Sequence, residues 1–274
     1  MKNDSKKRTI FCDLHCHCLP GMDDGCKTPE ESIRLLAEEY RQGCRGVVST
    51  SHYYPQESIA SFLDRRERAA ERLYQALDQM EAAGGVPSDG SISGGAENGG
   101  PGGHSPVRIP ALTFGAEVAF RESLVNDPEL ERLCFGKSRY LLLEMPFTPW
   151  TERTVREVEA ISGQWGIRLI IAHIERYRKF ADRKLLEQLM DSDALIQLNA
   201  GNFSRFTTAG TAERLIRKGR IQVLGTDSHN CSRRPPNMDQ AISYLSKKGL
   251  NRELAAIMKN NKRIFLEAVE VADE

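Results

Sequence analysis

Short, almost wholly apolar runs alternate with longer stretches of helical periodicity along the chain. The runs are Ile10–Leu14, Gly46–Thr50, Thr113–Val118, Arg139–Met145, Arg168–Ala172, Leu195–Asn199 and Gln222–Thr226. They lack the strict polar–apolar alternation of half-exposed strands, so they predict seven parallel strands covered on both faces. The intervening stretches are amphipathic. The clearest begins at Thr28-Pro29-Glu30-Glu31, with Thr28 as N-cap, Pro29 in the first turn and Glu31 placed to complete a capping box. Ile33, Leu35, Leu36 and Tyr40 supply its core face and Gly43 its stop. Repeated β-then-α units predict an α/β protein with a parallel sheet, either a barrel or a doubly wound sheet.

One stretch breaks the rhythm. Residues Gly84–Pro106 hold nine glycines in 23 residues and almost no large apolar side chain, so they predict a flexible surface insertion within one domain spanning 1–274. Such a segment is either a tolerated insertion or a substrate lid. The chain's length of 274 residues accommodates a single barrel of this class. Its 38 basic and 38 acidic side chains cancel, which argues against nucleic-acid or membrane-surface binding through bulk charge. Lys2, Lys6, Lys7 and Arg8 read as a solvated terminus, and no apolar run behind them resembles a secretory signal. No run approaches the roughly 20 apolar residues of a membrane span. Seven cysteines, none in a CxxC pair, fit a reduced cytoplasmic chain.

The histidines change the picture. Of six, five fall at or just after the ends of predicted strands: His15 and His17, His52, His173, and His229. His104 lies in the glycine-rich run. Acids follow the same placement: Glu117 in the third strand, Glu144 in the fourth, Asp227 two residues before His229, and Asp23 and Asp24 in the loop before the first helix. In a parallel barrel the C-terminal strand ends converge on one face, where active sites sit. Imidazoles and carboxylates gathered there are ligands for divalent transition metals. A lone histidine on an apolar strand is an ordinary core residue, but five at strand ends with matched acids point to a metal site. A closed structural zinc site would need only four ligands, often thiolates. The surplus here points to two or three ions with open positions. Cys16 and Cys18 alternate with His15 and His17 and should face the opposite side as small packed groups.

These residues resemble the PHP (polymerase and histidinol phosphatase) superfamily, and within it the bacterial protein-tyrosine phosphatases encoded with capsule and exopolysaccharide synthesis. The resemblance rests on Asp13-Leu14-His15-Cys16-His17, Leu19-Pro20-Gly21-Met22-Asp23-Asp24-Gly25, Thr50-Ser51-His52, Gly115-Ala116-Glu117, Leu143-Glu144, Ile171-Ala172-His173-Ile174-Glu175-Arg176-Tyr177, Gly225-Thr226-Asp227-Ser228-His229-Asn230 and Arg234-Pro235-Pro236. It spans roughly residues 9 to 266. It implies a distorted (β/α)7 TIM-like barrel, the PHP fold, with three divalent metals at the C-terminal ends of the strands. By resemblance, one metal is held by His15, His17, Glu117 and Asp227, a second by Asp24, His52 and His229, and a third by Glu144 and His173 with Glu117 bridging. Arg176 and Arg234 match the family's phosphate-binding arginines. The glycine-rich insertion and the Gly-Thr before Asp227 depart from the family pattern, and neither touches a proposed ligand.

The implied activity is a metal-dependent phosphomonoesterase in which metal-bound hydroxide attacks phosphorus. Three divalent ions and two arginines outweigh four carboxylates, so the site is cationic and suits a phosphate dianion. The implied substrate is phosphotyrosine on a bacterial tyrosine kinase controlling capsule or exopolysaccharide synthesis, and the implied metal is Mn²⁺, with Fe, Zn or Co also compatible with the ligand types. Histidinol phosphate, other small-molecule or nucleotide phosphoesters, and a metal-binding regulatory module without turnover remain competing readings. A cysteine-dependent tyrosine phosphatase would need Cys-x5-Arg, and none of the seven cysteines has an arginine six positions on. Cys134 has Arg139 five positions on.

Overall fold

The computed structural model describes residues 9–82 and 107–270. The glycine-rich run 84–106, His104 and the N-terminal lysines lie outside the described residues. The elements run β1 (Phe11–Cys16), α1 (Pro29–Gln42), β2 (Cys44–Ser49), β3 (His52–Tyr53), α2 (Ile59–Ala82), β4 (Ala111–Phe114), β5 (Glu117–Ala119), β6 (Tyr140–Glu144), α3 (Glu152–Trp165), β7 (Arg168–Ile171), α4 (Arg183–Asp191), β8 (Leu195–Asn199), α5 (Phe206–Arg217), β9 (Val223–Gly225), α6 (Met238–Lys247) and α7 (Asn251–Val269). Every strand pairing is parallel.

The nine strands of the described residues form seven staves of a distorted barrel. β2 and β3 make one stave and β4 and β5 the next, each broken near its end, while β1, β6, β7, β8 and β9 are single. The third predicted strand, Thr113–Val118, is thus two strands. Gly115 marks the break, since a Cβ there would lie 2.4 Å from the Phe135 ring. The Arg66 guanidinium donates to the Gly115 carbonyl at 3.0 Å in the gap. The ring closes between the first and last staves. Asp227 N–H donates to the His15 carbonyl at 2.7 Å and His17 N–H to the Ser228 carbonyl at 2.9 Å. Beneath them the Asp13 carboxylate accepts the Thr226 N–H at 3.0 Å and the Thr226 hydroxyl at 2.5 Å.

Two apolar layers hold the barrel. Cys12, Leu14, Leu142, Ile170 and Val223 fill its lower interior, plugged by Ile264, Phe265 and Ala268 of α7. Asn261 on the same helix is fully buried and donates to the carbonyls of Cys12 (2.9 Å) and Leu224 (2.6 Å), tying the first and last staves together. Losing such paired buried bonds costs on the order of 1–3 kcal/mol. The second layer lies between staves and helices and contains Phe11, Cys16, Cys18, Leu35, Leu36 and Tyr177. Helix α1 begins as its sequence predicts, Thr28 accepting the Glu31 N–H at 3.3 Å, and ends at Gly43 in the left-handed region at φ 115°. The Glu31 carboxylate, however, reaches past the N-cap and accepts the Lys27 N–H at 2.7 Å, so no reciprocal capping box forms.

Candidate metal centre

The upper end of β1 carries an extra residue. Asp13 pairs with Val47 and Cys16 with Ser49, three steps on β1 against two on β2. This bulge resets the strand's parity. Leu14 stays in the inner core, Cys16 and Cys18 turn into the outer layer, and His15 and His17 both point into the barrel mouth. Two glycines let other chain segments close on them. A Cβ on Gly225 would sit 2.7 Å from the His15 Cβ, and one on Gly25 would sit 2.7 Å from the His17 Cβ.

All eleven side chains singled out from the sequence meet at this end. Glu117 is the hub. Its Oε2 lies 3.1 Å from His15 Nε2, 3.2 Å from His17 Nε2 and 3.2 Å from His52 Nδ1, and its Oε1 lies 2.7 Å from His173 Nε2. Asp227 Oδ1 stands 3.5 Å from both His15 and His17 and 3.6 Å from His229 Nδ1. Asp24 Oδ1 is 3.1 Å from His229 Nε2 and 3.6 Å from His52 Nε2. Glu144 lies 3.4 Å from His173. Three overlapping donor groups result: His15, His17, Glu117 and Asp227; His17, Asp24, His52 and His229; and His52, Glu117 and Glu144.

The donors fit a cation. His15 Nε2 and His17 Nε2 face each other at 3.2 Å, and the contacts of Glu117 Oε2 lack hydrogen-bond geometry. Glu117 Oε2 and His52 Nδ1 are therefore buried without a hydrogen-bond partner. A buried acceptor left so is destabilising by about 1–3 kcal/mol, and several lone pairs converging on one point are satisfied together by a divalent ion. Backbone strain marks the same place. Among the described residues, the two non-glycine positions with positive φ are His173 (31°) and Asp227 (53°). Leaving the strand this way aims both side chains inward and costs about 1–3 kcal/mol each.

The local electrostatics are steep. Burial disfavours charge on His17 and His173, but neighbouring carboxylates outweigh it. Asp23 and Glu117 hold His17 well above its usual value, and Glu117 and Glu144 raise His173 to about 9. Burial pushes the other way on Glu117 and Asp227, yet both stay below the usual carboxylate range beside charged imidazoles and, for Asp227, Arg176. Burial and the His17 charge lower His229 to about 4. Arg176 donates to Asp227 Oδ2, and Arg234 donates to Asp227 Oδ1 at 2.7 Å and approaches Asp24 at 3.3 Å. Both guanidiniums remain about one-third exposed, at the open side of the cluster.

Around the ligands stand supporting residues, of which the sequence pattern points to Asp23 alone. Asp23 is not aimed at the cluster centre. It accepts from His17 Nδ1 at 2.8 Å, the His52 N–H at 2.8 Å and the Gly25 N–H at 2.9 Å, fixing the ring orientation of His17. Gln197 accepts the His173 N–H at 2.5 Å and faces His15 Nδ1 at 3.3 Å, and Asn199 donates to Asp227 at 2.7 Å. Two polar residues at period two in an otherwise apolar strand are the signal that marks them. Behind β1, Oε1 of buried Glu39 lies 3.1 Å from the Thr226 hydroxyl oxygen, and burial raises the pKa of both Glu39 and Asp13. Cys134 is buried, and burial lifts its thiol to about 12, which removes the thiolate a cysteine mechanism requires.

The chain matches the family described as capsular polysaccharide synthesis, CpsB/CapC, over residues 11–86 and 107–267, the interval falling in the glycine-rich run. It is similar to the tyrosine-protein phosphatase CpsB of Streptococcus pneumoniae, 29% identical over 93% of this chain and 98% of that one. It is similar also to the tyrosine-protein phosphatase YwqE of Bacillus subtilis (strain 168), 24% identical over 93% of this chain and 91% of that one. Its fold matches a solved structure from work on YwqE of Bacillus subtilis and CpsB of Streptococcus pneumoniae, described as unique metal-dependent tyrosine phosphatases. The TM-score is 0.72 at 21% identity, covering 95% of this chain and 96% of that one.

Proposed function

The chain belongs to the CpsB/CapC family of capsular polysaccharide synthesis, and from that premise we propose that it is a metal-dependent protein-tyrosine phosphatase acting in capsule or exopolysaccharide production. The observation that carries this reading is the convergence of His15, His17 and His52 nitrogens on one Glu117 oxygen, beside two arginines at the open side. The whole chain acts as one catalytic domain. His15, His17, Glu117 and Asp227 would hold one divalent ion, Asp24, His52 and His229 a second, and Glu144 and His173 a third with Glu117 bridging. Manganese suits this mixture of imidazole and carboxylate, as do iron, zinc and cobalt. Bound ions there supply Lewis acidity toward phosphoryl oxygens and lower the pKa of water toward neutrality.

The chain's own residues do the rest. Arg176 and Arg234 offer planar forks that match phosphate oxygens, and both now rest on Asp227, so an incoming phosphate dianion exchanges one anion for another. Hydrolysis joins a water oxygen to phosphorus and breaks the bond to the tyrosine oxygen. A phenolate leaves readily, so no strong general acid is required beside it. The substrate is phosphotyrosine on a protein, with a bacterial tyrosine kinase of polysaccharide export as partner. Among the described residues no helix is long and apolar enough to cross a membrane.

The test is phosphate release from a phosphotyrosine peptide and its phosphoserine twin, with manganese and with chelator. Manganese-dependent release from the phosphotyrosine peptide alone is expected. A metal-binding protein that releases phosphate from neither peptide would shift the reading to histidinol phosphate, nucleotides or a regulatory role.

A further inference from the structure

Two aromatic side chains stand half exposed at the rim of the donor cluster. Tyr54 follows β3 and is 49% exposed, and Phe147 follows β6 and is 44% exposed. Each leans on a different imidazole of the site. The Tyr54 ring stacks on His52 with centroids 5.4 Å apart and planes 23° apart. The Phe147 ring stacks on His173 at 6.1 Å and 22°. Between these two imidazoles lies Glu117, within 3.2 Å of His52 and 2.7 Å of His173. The two rings therefore lean on imidazoles that contact different oxygens of the hub carboxylate. Neither is loose packing. Phe147 is braced by Tyr177 and Phe180, each with ring centroids 5.6 Å away. The Tyr177 hydroxyl in turn accepts the Met145 N–H at 2.9 Å, anchoring the segment that carries Phe147.

Large aromatic faces left open beside charged ligands need an occupant with an apolar face and an anionic tip. We propose that Tyr54 and Phe147 are the two walls of an aryl slot that takes the phenyl ring of the substrate while its phosphate reaches the donor cluster and the arginines. The proposal deepens the phosphotyrosine reading and rests on it. Ring pairs prefer offset or edge-to-face contact at centroid separations of about 4.5–7 Å. A phosphoserine has no ring to lay against either wall and leaves both wet. Tyr54 and Phe147 thus act on specificity and binding, not on the bond that breaks.

The experiment compares two non-hydrolysable probes, phenylphosphonate and methylphosphonate, titrated into the manganese-loaded chain by calorimetry. The native protein is expected to prefer the aryl probe. Tyr54→Ala and Phe147→Ala should each reduce that preference about fivefold, with methylphosphonate affinity unchanged within about twofold, and Tyr54→Phe should keep it. A native protein without aryl preference, or variants that weaken both probes equally, would overturn the slot. Phosphotyrosine turnover is read separately. Absent turnover with an intact, wall-dependent aryl preference counts against the protein-phosphatase reading and leaves the slot standing.

Discussion

The Nε2 atoms of His15 and His17 face each other across 3.2 Å with one Glu117 oxygen within 3.2 Å of both. A single proton cannot satisfy that arrangement, and a shared cation can. His15→Ala should therefore lose bound metal and turnover together, by more than the roughly 10–100-fold that loss of an outer partner costs. Metal content by elemental analysis, alongside far-ultraviolet circular dichroism, checks it. A variant with full metal and native turnover would remove His15 from the site.

Asp23 makes a different prediction because it orients a ligand without facing the centre. Asp23→Asn keeps the size but weakens the hold on His17 Nδ1 and the His52 N–H. Metal affinity should fall about 10–100-fold, and excess manganese should restore most of the turnover. Failure of excess metal to rescue would mean that Asp23 serves the reaction more directly.

Arg234→Ala removes one fork from the open side while leaving all nine donor side chains. KM for a phosphotyrosine peptide should rise about 10–100-fold, the worth of a hydrogen bond to a charged group. Product inhibition by phosphate should weaken in parallel. Unchanged kinetics would take Arg234 out of phosphate binding.

Loading with metal should expel protons. In a chelated sample the folded-state pKa of His17 and of His173 lies above the unfolded value, about 9 for His173. The stability these imidazoliums contribute is full below about pH 6.5, and the His173 share is lost as pH rises through about 9. Glu117 and Asp227 are shifted down, so their contribution is present above about pH 4 and is lost on further acidification. Ligation needs neutral imidazole, so manganese binding at pH 7 should release about two protons, and above about pH 9 the His173 proton is no longer among them. Titrations in two buffers of different ionisation enthalpy read this number. Identical apparent enthalpies would refute it.

The alternation of apolar runs with amphipathic stretches anticipates the seven staves, because strands buried on both faces need apolar residues at nearly every position. β8 even keeps its predicted limits, Leu195–Asn199. The histidines were legible for the same geometric reason, since strand ends in a parallel barrel share one face. The break at Gly115 was not, because it depends on Phe135, twenty residues on, crowding the strand. β3 is two residues long and carries no periodicity. Gln197 and Asn199 escaped because a strand read as apolar conceals a polar pair whose role comes from other staves, and Glu39 because a buried acid on an amphipathic helix looks like a surface one. The bulge in β1 is likewise a property of pairing, invisible in a single strand.

The closure between β1 and the segment after β9 also says something about how this molecule is made. Asp13 and Thr226, whose side chains join there, are more than 200 positions apart in the chain, and His15 meets Asp227 across the same seam. Contacts of such long range carry a large loop-closure entropy and come late in folding. A growing chain thus holds its first histidines from early in synthesis but has no complete binding pocket until its last strand has emerged. Metal capture by this site would then have to wait for the closed barrel, and a bound ion would hold the first and last staves together.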